Sequence, residues 1–284
     1  MSLEYAIIYR AENNYENWVH TAYWQFLIIP QENSTQEFIS VGFTNSLNVP
    51  NEYSINGNGF KTIRVHPRQK FKSISFEATF KLLKKDVNPF GNELEQDIPA
   101  SYKALEELNF IVDFEAYLYE TQFTKLPKEL RQLFVFDTTK SIFENLNNLN
   151  HWTFEHLYFK TDVTDVNTLL EEIVEQRHGV CQDFTHLFCA LARENGIPTR
   201  YVSGYLHQGN GYFGDSQMHA WAEAYVINVG WVGYDPTNDL LAGSNHIKVA
   251  HGRDYSECSP LKGVVYTKGT NKTSHSVNVT GHEQ

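Results

Sequence analysis

Three residues in the second half of the chain have the types that nucleophilic catalysis by a cysteine needs. Cys181 closely follows Gly179, which allows a sharp backbone bend, and opens a run with helical periodicity. A cysteine in the first turn of a helix meets free backbone N–H groups and the positive end of the helix dipole, and both favour the thiolate. His219 and Asp235 offer an imidazole and a carboxylate. The three side chains could therefore serve as nucleophile, base and the group that orients the base.

The positions of His219 and Asp235 constrain the loop of the hairpin in which we expect them to lie. His219 begins one predicted strand and Asp235 ends the next. In an antiparallel strand pair, the numbers of directly opposite residues add up to one constant sum, the register sum. Two residues on the two strands share a face only if the sum of their own numbers and the register sum are both even or both odd. A two-residue turn would pair Val226 with Val229 and would put His219 and Asp235 on opposite faces. The triad therefore predicts an odd-length loop or a bulge in this hairpin.

Each of these residues also has a simpler explanation when it is taken alone. A lone cysteine is more often a small buried side chain, and an aspartate before proline is common in turns. A histidine at the end of a strand is usually exposed or hydrogen-bonded. His219 and Glu223, four residues apart, would resemble a metal pair only on a helix, whereas this segment alternates with a period of two. We therefore predict no metal and no cofactor.

The composition is that of an acidic globular protein. The 284 residues are 41% hydrophobic and carry a formal charge of −11, which argues against nucleic acid or an anionic membrane surface as partner. Apolar runs stay well below the ~20 residues that span a bilayer, and no leader pattern opens the chain. Three cysteines, of which Cys189 is expected in the core and Cys258 in a loop, suit a reducing compartment. We expect a cytoplasmic protein, and the sequence leaves its oligomeric state open.

The N-terminal part, 1–121, is predicted to be a separate β-rich domain. Short β-branched and aromatic segments up to about residue 90 are typical of an antiparallel sandwich. A short helix at 101–108 and a strand at 110–119 are expected to follow.

The second part, 122–284, is predicted to contain helices packed on an antiparallel sheet, which makes the fold class α+β. A glycine-rich segment, 208–216, falls where a lid over the site would lie. Near the end only a small edge strand, 276–280, is expected.

Four stretches carry a resemblance to a known family. They are 179–184 (GVCQDF), 219–221 (HAW), 230–238 (GWVGYDPTN) and 252–256 (GRDYS). These stretches resemble the transglutaminase-like superfamily, and more closely its bacterial branch of proposed cysteine proteases with an N-terminal β domain. The resemblance is strong from about residue 130 to residue 264.

The resemblance implies a papain-like core in which Cys181 is the nucleophile, His219 the base and Asp235 the orienting group. The implied substrate is an amide of a protein or peptide, and the implied intermediate is a thioester that water or a second amine resolves. The backbone N–H of Cys181 at the helix start should stabilise the oxyanion. Asp183 is expected to support the helix start, and His186 to be a packed or surface histidine.

Several functions stay open at this stage. The first is a thiol-dependent acyltransferase, amidase or protease, with cross-linking and hydrolysis undecided because the outcome depends on how well water is excluded. The second is a catalytically silent interaction module built on the same fold. A metal-dependent hydrolase ranks third, and no oxygen-rich calcium loop of the EF-hand type supports calcium dependence.

Overall fold

The computed structural model describes residues 2–86, 97–161, 168–207 and 217–283, so the expected lid at 208–216 lies outside the described residues. The strands are β1 Ser2–Val19, β2 Thr21–Phe26, β3 Gln36–Asn45, β4 Asn51–Ile55, β5 Lys61–Val65, β6 Phe71–Lys85, β7 Tyr158–Phe159, β8 His178–Gly179, β9 Thr199–Leu206, β10 His219–Val226, β11 Gly230–Asp235, β12 Leu240–Leu241, β13 His246–Gly252, β14 Leu261–Tyr266 and β15 Asn271–Glu283. The helices are α1 Ile98–Leu105, α2 Leu108–Leu118, α3 Ile142–His156, α4 Leu170–Gln176, α5 Cys181–Glu194 and α6 Tyr255–Cys258. Within the described ranges, no helix is long and apolar enough to cross a membrane.

Two four-stranded antiparallel sheets form a sandwich, with strand orders β15-β1-β6-β3 and β14-β2-β5-β4. Alternate residues of β1, among them Tyr5, Ile7 and Tyr9, are buried, as a strand with one inward face requires. Aromatic rings fill the space between the sheets, and the ring centroids of Phe26 and Phe76 lie 4.8 Å apart. The antiparallel sandwich predicted from the β-branched and aromatic segments is confirmed.

The last two strands belong to the sandwich and not to the five-stranded sheet β12-β11-β10-β9-β13 in the second part of the chain. β15 pairs with β1 from Leu3↔Glu283 to Tyr15↔Asn271, and β14 pairs with β2. The expected edge strand at 276–280 is therefore much longer than predicted. Its sequence is polar and mostly exposed, so it carries little of the hydrophobic alternation on which strand prediction depends. The division at residue 122 stays a prediction, but β14 and β15, which it assigned to the second part, complete the first.

The predicted strand at 110–119 is wrong, because this segment lies in helix α2. Its β-branched and aromatic residues favour a strand locally, but Phe110 and Phe114 are four apart and share a helix face. The Phe114 ring lies 4.4 Å from that of Tyr225 and 5.8 Å from that of Trp231, measured between centroids. Packing against β10 and β11 therefore overrides the local propensity for a strand.

The second part of the chain contains a five-stranded antiparallel sheet with the order β12-β11-β10-β9-β13. Ala222, Ala224 and Val226 form a narrow face of β10 and share a buried core with Leu187 and Phe188 of α5. Small side chains on the strand let the helix approach closely. Helices α3 and α4 pack on α5 in turn. The predicted α+β class, with helices on an antiparallel sheet, is confirmed.

Hydrogen bonds and a shared core hold the sandwich against this sheet. The Gln36 side chain donates to the Lys248 carbonyl at 2.9 Å and accepts from the Lys248 backbone N–H at 2.7 Å. Tyr205 donates its hydroxyl to the Ile28 carbonyl at 2.6 Å. Tyr205 and Ile247 of the sheet belong to the same hydrophobic core as the sandwich strands. The two layers therefore meet across a packed interface.

Candidate active site

Cys181 is the first residue of α5, where the sequence places it. Asp183 Oδ2 accepts a hydrogen bond from the Val180 backbone N–H at 2.8 Å, which satisfies one backbone donor at the helix start. Gly179 lies directly against this carboxylate, since a Cβ there would come within 2.5 Å of Asp183 Oδ2. Thr185 Oγ1 donates to the Cys181 carbonyl at 2.8 Å. The expected supporting role of Asp183 is confirmed, and the cysteine sits half-buried on a well-defined helix start.

The hairpin between β10 and β11 meets the parity condition. Val226 pairs with Gly230, so the loop has an odd number of residues and the register sum is even. Asn228 and Gly230 take positive φ angles of 64° and 101° in this turn. An even register sum places His219 and Asp235 on the same face, as the triad predicts. A glycine at 230 suits a backbone conformation that most side chains avoid.

His219 and Asp235 form a buried ion pair. His219 Nε2 donates to Asp235 Oδ2 at 2.8 Å, and both side chains are fully buried. Burial by itself would lower the pKa of His219, but the carboxylate beside it, with a smaller contribution from Cys181, raises this pKa to about 10. Burial would likewise raise the pKa of Asp235, but the charge of His219 and the hydrogen bonds that the carboxylate accepts hold that pKa well below its usual range. At neutral pH the pair is therefore imidazolium and carboxylate.

Cys181 is a second neighbour of the His219 ring, after Asp235. Nδ1 is buried and makes no well-formed hydrogen bond in the described part of the chain. Cys181 contributes to the raised pKa of His219, so its thiol lies near the ring, and Nε2 is already occupied by Asp235. Bonds between catalytic groups are often loose before substrate binds. The three predicted residues therefore come together in the fold, while their catalytic roles stay predictions.

Three further residues hold Asp235 and were missed by the sequence reasoning. His246 Nε2 donates to Oδ2 at 3.1 Å, Asn238 Nδ2 donates to Oδ2 at 2.9 Å, and the Thr237 backbone N–H donates to Oδ1 at 3.1 Å. The Asp-Pro-Thr-Asn turn could have suggested Asn238, because such turns often close on the first side chain. Nothing in the local sequence indicates His246, which reaches Asp235 from β13.

His246 is a neutral hydrogen-bond donor in this arrangement. Its Nδ1 accepts from the Gly243 backbone N–H at 3.3 Å, which places the ring proton on Nε2. Burial lowers the pKa of His246 in spite of the nearby carboxylate. Within the described residues, His219, Asp235 and His246 also form the one group of close potential metal ligands. Hydrogen bonds from both imidazoles to the same carboxylate oxygen already account for that grouping.

The remaining candidates have structural roles. Cys189 is fully buried, and burial raises the pKa of its thiol to about 12. Cys258, expected in a loop, lies in the short helix α6 and is also buried. His186 is packed: it stacks on Phe123 with ring centroids 5.8 Å apart, and its Nε2 accepts from the Tyr255 backbone N–H at 3.1 Å.

A cleft of about 610 Å³ opens on Cys181 and His219. One side of the cleft consists of residues of the second part of the chain, including Cys181, Ser203 and Met218. The other side consists of residues of the sandwich, including Tyr9 and His275. The cysteine is thus accessible from a groove between the two layers, which is the setting that an acyl-transfer site needs.

Comparison with known proteins defines the class of this domain. Residues 132–236 match the model of the transglutaminase-like superfamily. An uncharacterized protein of Mycobacterium leprae is 38% identical over 133 residues, which cover 45% of this chain and 47% of that protein. A protein-glutamine gamma-glutamyltransferase of Pseudomonas aeruginosa is 30% identical over 98 residues, or 32% of this chain and 14% of that protein. The chain thus spans about half the length of the first of these relatives.

A solved structure shares the whole architecture. It is described as a "Putative Cysteine Protease" from Cytophaga hutchinsonii, and it matches with a TM-score of 0.78 over 100% of this chain and 92% of its own. Its sequence identity of 19% limits the likeness to the fold. Residues 132–236 thus form a transglutaminase-like domain, as the motifs of the sequence predict. The N-terminal β domain before that core is part of the shared fold.

Proposed function

We propose that this protein is a thiol-dependent enzyme that transfers or hydrolyses acyl groups of protein or peptide amides. Cys181 is the nucleophile, His219 the acid and base, and Asp235 the group that orients His219. The observation that carries the proposal is the buried 2.8 Å bond from His219 Nε2 to Asp235 Oδ2, with Cys181 at the start of α5 lining the same cleft as His219. This is the order of groups that nucleophilic catalysis requires.

The proposed chemistry begins with a thiolate and an imidazolium. The Cys181 sulfur attacks the amide carbonyl carbon, and His219 Nδ1–H gives its proton to the leaving amine as the C–N bond breaks. The resulting thioester then reacts with water or a second amine, whose proton returns to His219 as the C–S bond breaks. A helix start offers the backbone N–H of Cys181 to the oxyanion.

The same fold could instead serve as a silent interaction module. No observation favours that function over catalysis, because the cleft gives access to the Cys181 thiol beside the His219–Asp235 pair. The two functions differ in the reactivity of one thiol.

The experiment is alkylation with iodoacetamide near neutral pH, followed by intact mass and peptide mapping. We expect one adduct at Cys181, because Cys189 and Cys258 are both fully buried and serve as internal controls. Cys181→Ser should abolish the adduct, and His219→Ala should slow it about tenfold or more through loss of the imidazolium. Alkylation of Cys181 at a rate that does not depend on His219 would contradict the proposal. Peptides with glutamine and a labelled amine would then distinguish transfer from hydrolysis.

A further inference from the structure

The cleft at Cys181 is completed by the β sandwich, which contains none of the predicted triad. Tyr9 lies on β1, and Thr273 and His275 lie on β15, so three residues of one sheet face the groove. The register of β1 with β15 places Ala11 opposite His275 and Tyr9 opposite Val277, so Tyr9 and His275 share a face. The family match at residues 132–236 includes none of them. This side of the groove is therefore specific to the two-layer architecture.

Tyr9 fixes the orientation and proton position of His275. The Tyr9 hydroxyl lies 3.1 Å from His275 Nδ1, and the tyrosine is 1% exposed. His275 Nδ1 is the hydroxyl's one hydrogen-bond partner among the described residues, so we assign the hydroxyl as donor. The ring proton then resides on Nε2. Partial desolvation lowers the pKa of His275, although much of its side chain is exposed, and this agrees with a neutral ring.

The motif at 252–256 serves the same groove. Asp254 Oδ1 accepts from the Ser256 backbone N–H at 2.8 Å and thereby caps helix α6. Tyr255 follows that cap, is held by the bond from its backbone N–H to His186, and lines the cleft. The motif thus positions an aromatic side chain between the two layers.

Apart from the proposed Cys181–His219 pair, the described lining of the groove is uncharged. Its described lining contains no Asp, Glu, Lys or Arg, and its side chains are mostly aromatic, aliphatic or neutral polar. A charged substrate side chain would lose hydration there without gaining a partner. A neutral peptide segment would exchange water for aromatic surface and for the few donors that the groove presents.

We propose that the sandwich supplies one side of the substrate subsite, in which His275 Nε2–H donates a hydrogen bond to a carbonyl of an uncharged peptide segment. The segment carries the amide that Cys181 attacks, so this inference rests on the proposed function. His275 is thereby a substrate-contact residue, outside the triad and contributed by the last strand of the chain.

The test compares two alkylating probes that differ only in what they place in the groove. Iodoacetamide reports the reactivity of Cys181 alone, whereas iodoacetyl-Phe-Gly-amide also fills the subsite with an uncharged peptide. The measured quantity is the second-order rate constant of the peptide probe at Cys181 divided by that of iodoacetamide. We expect His275→Ala to lower that ratio roughly tenfold, the value of one net hydrogen bond. His275→Gln should retain most of it, because its side-chain amide can donate.

Controls separate the subsite from the triad and from folding. His20→Ala removes an exposed histidine of the same sandwich that does not line the cleft, and should leave the ratio unchanged. His275→Val, a strand-favouring residue without a donor, repeats the loss if His275→Ala folds poorly. Iodoacetyl-Asp-Gly-amide and iodoacetyl-Lys-Gly-amide should show no advantage over iodoacetamide.

Each outcome decides one claim. A ratio that His275→Ala and His275→Val leave unchanged, while iodoacetamide still labels Cys181, overturns the subsite and spares the triad. Equal acceleration by charged and uncharged peptides overturns the substrate class. Failure of iodoacetamide itself to label Cys181 removes the proposed function, and the subsite with it.

Discussion

Replacing Asp235 with asparagine tests whether the buried carboxylate keeps a proton on His219. Asp235→Asn preserves the shape of the side chain and removes its charge. The pKa of His219 is about 10 in the folded chain, against an ordinary value of 6.5. Because the folded pKa is the higher one, the imidazolium stabilises the fold fully below pH 6.5, and this stabilisation is lost as the pH rises through about 10. One proton gives a slope of about 1.4 kcal/mol per pH unit, so the loss across that window is at most roughly 5 kcal/mol.

The measurement requires a background in which Cys181 is replaced by serine, because a thiol that exchanges its proton with the same ring would mask the slope. Urea unfolding at pH 6.5, 8 and 9.5 would give the free energy of unfolding of Cys181→Ser and of Cys181→Ser/Asp235→Asn. Burial lowers the pKa of Lys84 and of Lys248 to about 8, which makes stability rise with pH in the alkaline range. Both lysines are present in both chains, so the difference between the chains isolates the His219–Asp235 pair.

We expect the difference to be largest at pH 6.5, at about 3 to 5 kcal/mol for one partner removed from a buried ion pair. It should shrink with rising pH by up to about 1.4 kcal/mol per pH unit, because only the chain that retains Asp235 has an imidazolium to lose. Cys181 contributes to the raised pKa of His219, so in its absence this loss is complete below pH 10. A difference that stays constant from pH 6.5 to 9.5 would refute the reasoning. It would mean that His219 is neutral in the folded chain and that the 2.8 Å bond joins an uncharged ring to the carboxylate.

Two further predictions concern features that the sequence did not indicate. His246→Leu removes the 3.1 Å bond to Asp235 and should lower the free energy of unfolding by about 1 to 3 kcal/mol. His246→Gln keeps a donor and should lower it less. Urea unfolding measures both variants, and equal losses would contradict a hydrogen-bonding role. Val112→Pro should cost about 3 kcal/mol because Val112, 65% exposed, lies inside helix α2, whereas Val112→Ala should be neutral or stabilising; a harmless proline would mean that this segment is not helical.

Local patterns predicted the elements that carry the site. Hydrophobic periodicity indicated the helix that begins at Cys181, and strict alternation indicated the strand that begins at His219. Parity arithmetic required an odd loop, and the structure has it between Val226 and Gly230. These inferences succeed because each depends on residues within a few positions of one another, where backbone geometry dictates which side chains share a face.

Segments whose state depends on distant partners were predicted poorly. Helix α2 carries strand-forming residues, and its helical state follows from packing of Phe114 on Tyr225 and Trp231. Strand β15 is polar, and it forms because β1 offers it a long edge to pair with. In both cases the local signal is weak or misleading, and tertiary contacts supply the deciding energy.

The sequence by itself singled out the residues of the proposed chemistry, because a cysteine at a helix start, a histidine and an aspartate are recognisable by type and local position. Only the tertiary structure decided what surrounds that chemistry. His246 reaches the carboxylate from β13, and Tyr9 and His275 close the groove from the two ends of the chain. The physical reason is that side chains from distant segments become neighbours only when strands pair and layers pack, and no short stretch of sequence records that pairing.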